Sequence, residues 1–163
     1  MGLRSMRAMT SVLLVREGQL LLLYRRGSRA IADSWVGIGG HIEPEESTDP
    51  TAAALRELSE EIGVEASQLT DLALRYVSLR DSGTELRTTH YFTAVLADDA
   101  VVPPTCDEGD LRWFALDAVP PDLPMPPTAH AAVHHWLTRG RHDDAVRLVV
   151  MPTGRDQAEV LNP

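Results

Sequence analysis

Apolar residues along the chain fall into short runs broken by turn formers, and the breaks mark out its elements. Residues 10–15 and 19–24 are two such runs joined by Arg16-Glu17-Gly18, which predicts a hairpin. The second run is continuously apolar through residues 20–23, as expected of a fully buried strand. A polar loop, residues 26–34, leads into residues 35–42, which read as extended chain. Glycines at 37, 39 and 40 there call for a close backbone approach. Asp49 as N-cap, Pro50 at the first helical position and Gly63 as a left-handed stop delimit a helix over residues 50–62. Residues 72–79 and 85–96 flank Asp81-Ser82-Gly83 as a second hairpin, and residues 111–116 form another short strand. The prolines of residues 119–127 force an irregular connection. Thr128 is then placed to cap a helix running through Trp136 and ended by Gly140. Residues 145–151 add an edge strand, and the last dozen residues read as a loosely held tail. A mixed sheet with two helices follows, without internal repeats or low-complexity blocks.

The first helix carries an electrostatic problem. On a wheel of roughly 100° per residue, Leu55, Leu58 and Ile62 form one stripe, and Glu57, Glu60 and Glu61 fall at roughly 200°, 140° and 240° from Leu55. Like charges three and four residues apart cost a few tenths of a kcal/mol per pair, and the helix dipole disfavours anions in the last turns. A solvated acidic face beside Arg56 is the bland account of such a cluster. A hard divalent cation, which takes oxygen ligands and completes its shell with water and substrate phosphate, is the chemical one.

Composition narrows the classes. The 163 residues suit one domain able to bury its own core, and 44% hydrophobic with 24% charged residues is ordinary for a globular protein. A formal charge of −9 disfavours long nucleic acid and anionic membrane surfaces, and an anionic small substrate would need metal help. Cys106 stands alone, so no internal disulfide forms, and no secretory leader or membrane-spanning run is visible. A cytoplasmic location is expected.

The context of the acidic helix decides between its two accounts. Gly40-His41-Ile42-Glu43-Pro44-Glu45-Glu46 is followed, after nine residues, by Arg56-Glu57-Leu58-Ser59-Glu60-Glu61-Ile62-Gly63-Val64. This closely resembles the signature of the Nudix hydrolase family, with every fixed residue type present. It departs in spacing, nine residues instead of seven between Glu46 and Arg56, and in Glu45, where many relatives carry glycine. Trp35-Val36-Gly37-Ile38-Gly39-Gly40 and Glu108-Gly109-Asp110-Leu111-Arg112-Trp113-Phe114 extend the resemblance, which covers roughly residues 10 to 137.

The resemblance implies an α/β Nudix fold, an α/β/α sandwich around a mixed sheet. It implies a single domain with its core over about residues 10–140 and an extension over 141–163. It further implies Mg²⁺, or Mn²⁺, held by Glu57, Glu60, Glu61 and the carbonyl of Gly40, with Glu46 and Arg56 as an ion pair tying loop to helix. Water would be the nucleophile, with Glu57 first, Glu60 second and Glu108 third as candidate base. Among Arg25, Arg26, Arg75 and Arg80, Arg25 is taken as the phosphate-binding residue. The Trp-x-Gly-x-Gly-Gly lead-in is similar to the MutT-like branch. The implied reaction is hydrolysis of a nucleoside triphosphate, including an oxidised purine, to monophosphate and pyrophosphate. The rival substrates are nucleoside diphosphates, dinucleoside polyphosphates and nucleotide sugars. A related isopentenyl-diphosphate isomerase would need a well-placed cysteine, and a non-catalytic sensor a degraded signature. The expected partner is a small nucleotide, with no long nucleic acid and no membrane, and a homodimer is left open. His130 and His134 read as surface histidines, and Trp35, Trp113 and Trp136 as core.

Overall fold

The computed structural model describes residues 4–27 and 32–162, so residues 28–31 of the polar loop lie outside the described residues. The chain runs β1 (Ser5–Arg16), β2 (Gln19–Arg25), β3 (Ser34–Val36), α1 (Pro50–Ile62), β4 (Leu69–Asp81) and β5 (Glu85–Leu96). It continues with β6 (Thr105–Cys106), β7 (Gly109–Ala115), α2 (Pro127–Thr138), β8 (Arg147–Met151) and β9 (Glu159–Leu161). One sheet takes the order β6-β7-β2-β1-β5-β4-β8-β9, with β3 on β2. Antiparallel pairs form at both predicted hairpins, while β1 runs parallel to β5 and β4 parallel to β8. The sheet is therefore mixed.

Period-two alternation along the central strands feeds two cores. Val12 and Leu14 of β1 and Leu21 of β2 pack with Ala54, Leu58 and Ile62 of α1. Their alternates Leu13, Leu20 and Leu22 pack with Ala129, Ala132, Val133 and Trp136 of α2. Side chains two apart share a face, so the two helices cover opposite faces and make an α/β/α sandwich. The unbroken apolar run of β2 is explained by this burial on both sides.

The predicted limits of α1 hold at both ends. Asp49 accepts a hydrogen bond from the Ala52 amide at 3.0 Å, and Gly63 sits at φ 68°, the left-handed conformation that closes a helix. Four expectations need correction. Leu55 is only half-buried, while Ala53, Ala54, Leu58 and Ile62 are buried, so the covered face of the helix is turned away from Leu55 and centred nearer Ala54. Thr128 is buried inside α2, where its Oγ1 accepts from the Tyr91 hydroxyl at 3.4 Å; Pro126 occupies the cap position. β8 is not an edge strand, since β9 pairs along its outer side. The tail is correspondingly tied into the sheet, its backbone groups at residues 159–161 finding partners on β8.

Candidate active site

The signature wraps one edge of α1. After β3 the chain crosses β1, with the Thr10 amide donating to the Gly40 carbonyl at 2.8 Å and the Val12 amide to the Ile38 carbonyl at 2.6 Å. This places Gly40 over the helix. A Cβ at Gly40 would lie 2.7 Å from both carboxylate oxygens of Glu57, so only glycine lets backbone and carboxylate meet there. The chain then makes a one-turn 3-10 helix, Pro44–Glu46, held by a Glu43 amide bond to the Glu46 carboxylate at 3.1 Å. That turn and the bend after it absorb the two extra residues before α1.

Glu46 consequently meets Arg56. Arg56 Nε donates to Glu46 Oε1 at 2.8 Å and Nη2 to Glu46 Oε2 at 2.9 Å, a two-pronged pair that holds the Glu46 carboxyl below its ordinary range. The same guanidinium donates to Glu57 Oε1 at 2.9 Å, to Glu60 Oε2 at 3.0 Å and to the His41 carbonyl at 2.9 Å. One arginine thus offsets much of the like-charge repulsion on the helix.

Glu61 is left out of that arrangement. It turns toward Glu108, which leads into β7, and receives a hydrogen bond from the Gly39 amide. Burial pushes its carboxyl up to about 8, with the charges of Glu108 and Glu57 adding to the effect. Arg25, at the end of β2, reaches Glu108 Oε1 with Nη2 at 3.1 Å. The other oxygens, Glu61 Oε2 and Glu108 Oε2, are buried with no hydrogen-bond partner.

These groups border a cavity of about 390 Å³ lined by Glu57, Glu60, Glu61, Cys106, Asp107 and Glu108. Among the described residues no three acidic, histidine or cysteine side chains are drawn together closely enough to hold a metal ion as they stand. The donor set nonetheless suits a hard cation. It presents carboxylate oxygens throughout, two of them buried and unpaired, with the Gly40 backbone against a third group.

A family model described as the NUDIX domain matches residues 4–137. The chain belongs to the Nudix family. The fold is shared with solved members. A mutator MutT protein from Bacillus halodurans is 25% identical, with 96% of this chain and 95% of that one covered and a TM-score of 0.66. A MutT NUDIX hydrolase from Burkholderia pseudomallei is 26% identical over 80% of this chain and 98% of that one, TM-score 0.61. A NUDIX hydrolase from Nitrosomonas europaea is 18% identical over 93% and 82%, TM-score 0.73. No curated protein matches the sequence at a significant level. As a MutT-like Nudix member the chain is a hydrolase acting on pyrophosphate bonds, a family that generally uses divalent metal ions and nucleotide-type small substrates.

Most other singled-out residues of this Nudix domain sit away from the acidic cavity. His130 and His134 stack at 5.6 Å between ring centroids on α2, and His130 Nε2 is 2.9 Å from the Pro121 carbonyl. Trp35 packs against Tyr24 and Phe114, with ring centroids 5.1 and 5.0 Å away. Arg26 pairs with Asp110, and Arg75 with Asp144 at 2.9 Å. Cys106, the single cysteine, lies on β6 at the cavity rim. Asp107 in that lining carries no signal of its own in the sequence. It is brought there by the pairing of β7 with β2, which sets Gly109 opposite Arg25. Among the described residues no helix is long and apolar enough to cross a membrane.

Proposed function

We propose that this chain is a Mg²⁺-dependent pyrophosphohydrolase of a nucleoside-diphosphate-linked substrate, with a nucleoside triphosphate cleaved to monophosphate and pyrophosphate as the leading case. The observation that carries the reading is the pair of buried, unpartnered carboxylate oxygens on Glu61 and Glu108 beside Glu57 and the Gly40 backbone. Glu57, Glu60, Glu61 and the Gly40 carbonyl are the proposed ligands, and Mn²⁺ suits the same oxygen donors. When bound, the cation neutralises diphosphate oxygens and makes a coordinated water acidic.

The chain's own residues supply the rest. Arg56 holds Glu46, Glu57 and Glu60 in fixed orientation, so little rotamer freedom is lost when substrate arrives. Glu57 is the proposed base for the attacking water and Glu60 the second choice, although Glu60 is 61% exposed where Glu57 is only 12% exposed. Likeness to the MutT proteins at 25% and 26% identity, together with the MutT-like lead-in at residues 35–40, supports the triphosphate substrate. Arg25, held beside the acidic cavity by its 3.1 Å pair with Glu108, is proposed to bind substrate phosphate.

The test is a panel of nucleoside tri- and diphosphates, dinucleoside polyphosphates and nucleotide sugars with Mg²⁺, assaying phosphate and pyrophosphate separately. Release of pyrophosphate from a triphosphate is expected. Turnover confined to the other classes would replace the triphosphate, and no turnover of any member would replace the enzyme reading with that of a ligand sensor.

A further inference from the structure

A second cavity, of about 90 Å³, opens on the opposite, α2-side face of the sheet. Its lining contains Arg25, Arg80 and Arg87 and no acidic residue, in a chain with 24 acidic against 15 basic side chains. The floor is built by β4 and β5, whose register sets Arg80 directly opposite Arg87 and, two rungs inward on the same face, Ser78 opposite Thr89. Tyr91 continues that face, and the first turn of α2 closes the far side.

Two like charges opposite each other on one sheet face are destabilising unless something lies between them. Arg87 has partial relief from Glu85 at 2.5 Å, and Arg25 from Glu108 at 3.1 Å. Arg80 has no acidic partner among the described residues. The hydroxyls of Ser78, Thr89 and Thr128 add donors, and the start of α2, where Pro126 and Pro127 carry no N–H, brings only the positive end of the helix dipole. Every charge facing the cavity therefore favours an anion.

Size points the same way. The cavity of about 90 Å³ has room for a phosphate or carboxylate group with its hydrating waters. The cavity also neighbours the acidic one. Gly39 lines it while its amide binds Glu61, and Arg25 lines it while its guanidinium binds Glu108. A substrate can therefore lie across the Gly37–Gly39 strand with its diphosphate on the carboxylate side and another group on the arginine side.

We propose that this pocket takes a second anionic group of the substrate, a phosphate or carboxylate carried beyond the scissile diphosphate, with Arg80 as its main partner and Arg87 beside it. The proposal rests on reading the adjacent carboxylates as the diphosphate-cleaving site. It makes a plain nucleoside triphosphate a poorer substrate than one bearing a further charge.

Two matched pairs test it: adenosine 5′-triphosphate with and without a 3′-phosphate, and UDP-glucuronate against UDP-glucose. The wild-type protein is expected to favour the charged member of one pair by about tenfold or more in kcat/KM, the size of one charge-assisted bond. The pair that responds tells phosphate from carboxylate. Arg80→Gln should bring that ratio toward one, while Arg75→Gln, whose arginine pairs with Asp144 outside the pocket, should leave it in place. Absence of preference in both pairs, or a preference that survives Arg80→Gln, overturns the proposal. If no compound is hydrolysed, the enzyme reading fails first. The pocket is then judged by inorganic phosphate on metal-free protein, where a rise in Tm lost in Arg80→Gln supports it and an equal rise in both proteins overturns it.

Discussion

The two helices cover opposite faces of one sheet, yet they treat their outer surfaces differently. α1 buries Ala53, Ala54, Leu58 and Ile62 and sets beside them a glutamate cluster, with Glu61 partly buried and Glu60 exposed, that Arg56 only partly neutralises. α2 buries Thr128, Ala129, Ala132, Val133 and Trp136 and carries no acidic residue. Its one polar contribution to a site is made by its first turn. The contrast separates packing from chemistry: α2 settles the sheet, while α1 is also asked to hold charges that its own geometry disfavours.

Removing the anchor of the packing helix should give the largest effect. Trp136→Ala is expected to destabilise the protein by about 3–5 kcal/mol, with kcat/KM per folded molecule unchanged. Urea denaturation beside activity checks this, and a selective loss of activity would mean that α2 takes part in the reaction.

Glu61→Gln sharpens the other side of the comparison. Turnover should fall about 10²–10³-fold, the cost of losing one preorganised group at a reacting centre, while the fold stays intact. The same variant tests the buried carboxyl. In metal-free protein Glu61 keeps its proton up to about 8, whereas in the unfolded chain it loses it near 4.5. Between those values the folded state binds more protons, so Glu61 makes stability fall as pH rises from about 4.5 to 8. Thermal melts with a chelator should show that fall, and Glu61→Gln should flatten it. Mg²⁺ should flatten it too, by favouring the ionised carboxylate. A metal-free melting curve unaffected by the substitution would place Glu61 in water.

Arg56→Lys should have a smaller effect, lowering kcat/KM about 10–100-fold, as for groups that orient metal ligands from behind. An ammonium cannot make the two-pronged bond to Glu46 and still reach Glu57, Glu60 and the His41 carbonyl. Full activity in this variant would show that the loop needs no such tie.

Local chemistry made much of the molecule legible in advance. Capping residues placed α1 from Pro50 to Ile62, and turn residues placed both hairpins, because those signals act within a few residues of the chain. Thr128 shows where such reasoning fails. It is a good cap in isolation, but burial between α2 and Tyr91 outweighed its local preference. Leu55 failed for a related reason: a helical wheel ranks positions by angle and cannot say which angle the rest of the fold will cover. The tail failed because short polar segments give no periodic signal, and β9 exists only through its pairing with β8.

The candidate site divides along the same line. The order and type of Gly40, Glu46, Arg56, Glu57, Glu60 and Glu61 are properties of the sequence, since helix geometry alone sets these glutamates along one stretch of α1. Which of them shares Arg56, and which is buried beside Glu108 with an unpaired oxygen, is a property of the fold. So is the meeting of Arg80 with Arg87 across two strands. Sequence spacing governs contacts within a helix turn or a hairpin. Contacts between Glu61 and Glu108, or between Gly39 and both cavities, depend on strand register across a mixed sheet, which only the packed structure decides.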